Sequence, residues 1–192
     1  MARSQEKNNT GAFFIATLLL WSVSIIFEIF FNKRTELVAI IAGCFFYQFA
    51  NCVIRFTVSR DPLFVNTCVS LLHSSIASVS VILILINQWI AKGPGKMFEH
   101  SQLFAATWPG AYSALCFSSG YFAYDQWDML HYRLYSGFIP SILVHHLVLL
   151  VCFTLALFRN ITINYLILTL ICEVCHPRPL QCLMYSHKVL NV

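Results

Sequence analysis

Charge is what this chain has least of. Only 10% of its 192 residues are Asp, Glu, Lys or Arg, while 58% are hydrophobic. A soluble domain carries about a quarter charged residues, because its surface must face water. This composition excludes a soluble globule and places the chain in a bilayer. The net charge of +4 is spread along the loops and forms no basic stripe of the kind a nucleic-acid binder needs. Glycine and proline are also few, 7 and 6, and they punctuate long apolar runs. There is no internal repeat and no low-complexity segment. Cysteine is not scarce, with eight, but Cys44, Cys52, Cys68, Cys116, Cys152 and Cys172 lie inside apolar runs, where cysteine behaves as a small hydrophobe. The count therefore says little about redox compartment.

A helix needs about 20 mostly apolar residues to cross the hydrocarbon, since its backbone groups must be satisfied internally. At that cost the chain has room for roughly six spans with short loops, and none for a separate soluble domain. The expected fold class is all-α, a polytopic transmembrane helical bundle. Residues 1–11 read as a polar, disordered tail. Ala12 to Phe31 reads as a retained first span, longer than a signal-peptide core and without a small-residue cleavage site. The second span runs from Leu37 to Ile54, and Pro62 opens a third that reaches Ile90. Gly93, Pro94 and Gly95 mark a loop. The fourth span covers Leu103 to Tyr124 and the fifth Phe138 to Phe158. The last apolar run, Ile161 to Val174, is only about 14 residues, short of a crossing. Either the tail after it completes the span or part of the final helix is missing, and the proline-broken CHPRPLQC favours the second. The Lys and Arg bias across loops weakly favours a cytoplasmic N-terminus.

Ionisable groups beside such runs are costly to bury and are functional candidates for that reason. The stretch Cys116 to Leu150 holds most of them. Asp125 and Asp128, three apart, share a helical face. His145 and His146 are adjacent, so they point about 100° apart and cannot both aim at one spot. One can face the bundle as a general base or a ligand, and the other can bond a neighbouring helix. Either can equally be a polar staple between helices. A carboxylate from Asp125 could orient the imidazole. Asp128 reads more simply as a solvated acid at a helix end. His73, in mid-span, reads as a packing histidine, whereas Glu173, at the end of the last run, is harder to explain by packing. The sequence Cys172 to His176 matches the c-type haem attachment pattern but sits at a membrane helix end, where no domain encloses a porphyrin. No cofactor and no metal site is expected.

Four segments in this order, NTCVSLLHS from Asn66, CFSSGYFAYDQWDML from Cys116, LVHHLVLL from Leu143 and ICEV from Ile171, resemble the TLC domain family, which includes the ceramide synthases. The phrases SLLHS and SSGYF-x-x-D are most similar to the small plasma-membrane TLC domain proteins. The likeness covers residues 35–174, after a first span at 12–34 and before a divergent tail at 175–192. It implies that His145 and His146 match the paired histidines that ceramide synthases use to join a fatty acyl group to a sphingoid amine. Asp125 and Asp128 fall where acids are expected, and His73 and Glu173 match further polar positions. The position three beyond His146, usually a hydroxyl residue in the synthases, is Leu149.

For the small members the resemblance implies control of membrane phospholipid composition and fluidity, limiting incorporation of polyunsaturated acyl chains. The expected partners are membrane lipids and fatty acyl chains. The expected location is the plasma membrane, with the endoplasmic reticulum as the alternative. Two further readings remain open: a ceramide-synthase-like acyltransferase using His145 or His146 with Asp125, and a lipid transport or binding protein.

Overall fold

The computed structural model describes residues 2–134 and 139–174, and the side chains of 11–134 and 141–171. The described residues form helices and no strands. In chain order these are α1 (Ala2–Phe30), α2 (Val38–Thr57), α3 (Pro62–Met97), α4 (His100–Phe104), α5 (Ala111–His131), α6 (Ile139–Arg159) and α7 (Ile163–Val174), with a 3-10 turn at Thr35–Leu37 before α2. Among the described residues four segments are long and apolar enough to cross a membrane: Gly11–Phe30, Thr35–Thr57, Pro62–Met97 and Ser141–Arg159. Of the roughly six spans expected from length, α5 has 21 residues but too many polar ones to qualify. Helix α7 has 12 residues, too few to cross unaided.

Helix α5 is the centre of the bundle, in contact with α1, α2, α3, α6 and α7. Its residues 118–126 are all buried. The outer helices turn Phe13, Leu20, Phe30, Phe45, Phe49, Ile90 and Leu155 outward, which is the arrangement a lipid solvent selects. With no hydrophobic drive between helices in lipid, close backbone approach at small residues holds such bundles together. Gly43 of α2 and Gly120 of α5 provide that approach: a Cβ on Gly43 would lie 2.7 Å from the Phe117 carbonyl oxygen.

Three boundaries differ from those read in the sequence. The polar N-terminal stretch is not a disordered tail but continues α1 as helix from Ala2. At Gly93 (φ 75°, ψ 162°) the chain leaves helical geometry, and Pro94 starts a further turn that runs to Met97, so the expected loop is a kink. The fourth span starts later, because Pro109 and Gly110 (φ 82°) hold a turn ahead of Ala111. It therefore ends later as well, and Asp125 and Asp128 stand inside the helix rather than beyond it.

Arg34, between α1 and α2, satisfies the free carbonyls at the end of α6. Its Nη1 donates to the Phe158 oxygen and its Nη2 to that of Leu157, both at 2.8 Å. A cation at a helix C-terminus also complements the macrodipole. Arg34→Leu removes two charge-assisted bonds and is expected to lower stability by about 2 kcal/mol, read as a lower melting temperature in detergent.

Candidate functional site

The polar residues of α2, α3, α5 and α6 meet at one end of the bundle. Asp125 and Asp128, one turn apart on α5, are both buried, at 1% and 4% exposure. Asn66, near the start of α3, binds both through its Nδ2, which donates to Asp125 Oδ1 at 2.5 Å and to Asp128 Oδ2 at 3.2 Å. Asn51 of α2 donates to Asp128 Oδ1 at 3.1 Å and to the Tyr124 hydroxyl at 2.5 Å. Arg55, one turn further along α2, donates from Nε to Asn51 Oδ1 at 2.6 Å and brings Nη2 to 3.7 Å from Asp128 Oδ1. Its guanidinium also covers the Tyr132 ring, 4.1 Å from the centroid.

From the other side, α6 contributes His146. Its Nδ1 lies 3.2 Å from Asp125 Oδ2, and the residue is buried. His145 is exposed on the outer face of α6, beside Val144 and Val148. The 100° between successive helical residues thus separates the pair: His146 is buried against Asp125 and His145 is exposed. A carboxylate beside an imidazole fixes its orientation.

The expectation of a solvated Asp128 is overturned. Two amides and a guanidinium enclose it, because α5 extends about two turns beyond the aromatics that seemed to end it. His73 is buried apart from this cluster. Its ring stacks on Tyr121, with centroids 3.8 Å apart and planes 8° off parallel, and its Nδ1 lies 3.1 Å from the Tyr47 hydroxyl. Phe122 stands between His73 and His146, with centroids 5.5 and 5.4 Å from them. Glu173 belongs to α7, but its side chain lies outside the described residues, as does the rest of the haem-like pattern. Among the described residues no group of three or more His, Cys, Asp or Glu is placed to hold a metal ion.

Reading the acids and histidines alone missed Asn51, Asn66, Arg55 and Gln126. The first two were findable, since an amide inside an apolar run carries the same desolvation cost as a charge on a smaller scale. The Gln126 amide is fully buried and has no hydrogen-bond partner among the described residues.

A cleft of about 480 Å³ runs from Tyr47 and His73 toward Asn87 and Pro109, walled by α2, α3 and α5 and touched by Leu170 of α7, and no residue of the acidic cluster lines it. Its lining is mostly apolar, and Ala42, Leu83, Asn87 and Ser113 on its rim are exposed.

No curated protein and no solved structure matches the chain at a significant level. The family model for the TLC domain, named for TRAM, Lag1 and CLN8, matches residues 63–181, well over half of the chain. The match begins one residue inside α3 and takes in α4 through α7, and with them Asn66, His73, Asp125, Asp128, His145 and His146. The chain, a membrane helical bundle built around a buried acidic helix, belongs to the TLC domain family.

Proposed function

We propose that this protein acts on bilayer lipids, regulating phospholipid composition and fluidity by limiting incorporation of polyunsaturated acyl chains, and that it does so at the plasma membrane. The observation that carries the reading is the pairing of Asp125 with His146 in a buried cluster that draws on four helices. Packing does not require such a cluster. Two carboxylates, a histidine and an arginine are expensive within a membrane domain, and residues of this kind mark the ligand path. A mostly apolar cleft opens in the same bundle, along α2, α3 and α5, so a ligand with a hydrocarbon body suits these surroundings better than an ion or a water-soluble metabolite.

A second reading is favoured by the same pair. An imidazole held by a carboxylate is the arrangement of a general base, and an acyltransferase could use His146 toward a hydroxyl or amine.

The test is a pulse of labelled sphinganine and labelled polyunsaturated fatty acid in cells without the endogenous protein, complemented with wild type, His146→Ala or His145→Ala. The expected result is a fall in labelled polyunsaturated phospholipid with wild type, lost in His146→Ala and kept in His145→Ala, with ceramide unchanged. Ceramide that rises with wild type and disappears in His146→Ala would replace this reading with the acyltransferase. No response to wild type in either pool would refute both. Surface biotinylation of the wild-type protein checks the location.

A further inference from the structure

Gln48 stands where lipid offers its side chain nothing. It falls at the midpoint of α2, about 15 Å from the helix start at 1.5 Å per residue, and it is exposed on the outer face. Among the described residues its amide reaches one group, the Cys52 Sγ one turn on, at 4.0 Å. A thiol sulfur is a weak acceptor, and the Gln48 Oε1 accepts from no described residue. Exposed hydroxyls on the outer helices are placed differently. Thr57 and Ser75 donate to the carbonyls of Val53 and Leu71 one turn back, which hides their polarity from lipid. A carboxamide brings two donors and an acceptor, more than one backbone carbonyl can satisfy. Hydrocarbon supplies no partner for them, so a polar side chain at that depth on an outer face calls for another helix.

The residues around Gln48 have the pattern of a packing seam. Val38, Ile41, Phe45, Gln48 and Cys52 follow one another at alternating steps of three and four, the spacing that keeps one face of a helix toward a partner. Val38, Phe45, Gln48 and Cys52 are exposed, and Ile41 is half-buried. The seam lies away from Ile40, Gly43 and Tyr47, the residues that α2 sets against α5. It is a coiled-coil stripe with one amide at its centre and no helix of this chain over it.

We propose that this seam is a homodimer interface, in which two copies pack α2 against α2 about a two-fold axis normal to the membrane. Each Gln48 Nε2 donates to the Gln48 Oε1 of the other copy. Three arguments select a second copy as the occupant. A carboxamide is its own complement, since it carries donor and acceptor side by side. Copies of one chain insert in one orientation, so Gln48 lies at the same depth in each, and a two-fold axis sets a residue opposite itself. No charge interrupts the seam, so two identical faces meet without repulsion. A lipid headgroup, held at the membrane surface, does not reach the middle of α2. Cys52 occupies the seam position next to Gln48, and the same axis brings the two Cys52 thiols toward each other.

The experiment uses the purified full chain, labelled with one fluorophore per copy and reconstituted in phosphatidylcholine vesicles over a range of protein-to-lipid ratios. Counting bleaching steps in single vesicles gives the dimer fraction and its dissociation constant. Wild type is expected to dimerise, and Gln48→Leu to raise the dissociation constant about tenfold, the factor for a hydrogen bond between helices in lipid. In the same vesicles, copper phenanthroline is expected to link wild-type copies through Cys52. That link should be lost in Cys52→Ser and kept in Cys152→Ser, which removes an exposed thiol from the outer face of α6. The crosslink leaves Gln48 unchanged, so it decides the matter if Gln48→Leu fails to fold. A purified chain that stays monomeric overturns the proposal, as does a dimer that Gln48→Leu does not weaken or one that crosslinks without Cys52.

Discussion

Gly120→Ala is expected to destabilise the protein by about 3 kcal/mol, the upper end of the cost of overpacking a well-packed core. Gly120 is buried at the crossing of α2 and α5. A Cβ placed there would overlap the Ile40 carbonyl oxygen and lie 2.8 Å from the Cys44 amide nitrogen and 3.0 Å from the Gly43 Cα. All three neighbours are backbone, so no side chain can rotate aside, and the two helices must move apart. Helix α2 carries Asn51 and Arg55, which reach Tyr124 and Asp128. Separation at Gly120 therefore pulls on the acidic cluster as well as on the packing. Gly95→Ala, in the short helical turn after the kink, meets nothing within 4 Å and is expected to change stability by less than about 1 kcal/mol, in the favourable direction if helix propensity acts there. Thermal unfolding of both variants in one detergent provides the check. Similar melting temperatures would mean that the α2–α5 crossing is looser than described.

Asn66→Leu is expected to have the larger functional effect. One amide nitrogen serves two buried acidic side chains, Asp125 and Asp128, and stands between them. Hydrogen bonds to charged groups contribute about 1.5–3 kcal/mol each. Loss of both, with the carboxylates left facing each other, is expected to cost about 3–5 kcal/mol, the range seen when one partner of a buried ionic group is removed. The lipid phenotype should disappear with it, since Asp125 would lose the bond that positions it against His146. The coupling is measured by repeating Asn66→Leu in an Asp128→Asn background. There one charge is gone, and the cost of the second change should fall by more than about 1 kcal/mol. Equal costs in both backgrounds would show that Asn66 does not act through the two acids.

The cluster also shows how far charged residues alone lead. Asp125, Asp128 and the histidine pair stood out because carboxylates and imidazoles are rare between apolar runs. The helical angle already said that only one histidine could face inward. Which one it is depends on how α6 is rotated against α5. That rotation is set by Leu143, Leu150, Phe153 and Leu157, all buried on the same face as His146. Asp128 was misread for a related reason. Tyr121, Phe122 and Tyr124 look like an interfacial belt in the sequence, but in the bundle they are core, stacked around His73 and Tyr47. Aromatic residues mark either a membrane surface or a packed interior, and local sequence does not distinguish the two.

Composition by itself determined that this is a membrane protein, and its continuous apolar runs of about 20 residues determined that it is helical, because a barrel strand is about ten residues long and alternates apolar with polar. The order of its polar segments was enough to place it in its family, which the family model then matched over residues 63–181. Only the tertiary structure decided that α5 lies at the centre, since its polar face looks exposed until α2, α3 and α6 are packed around it. The same holds for the pairing of Asp125 with His146, for the two asparagines that tie the acids together, and for the contact of His73 with Tyr47. Each of these depends on contacts between residues 21 to 77 positions apart, and the relative placement of such residues is fixed only when the helices dock.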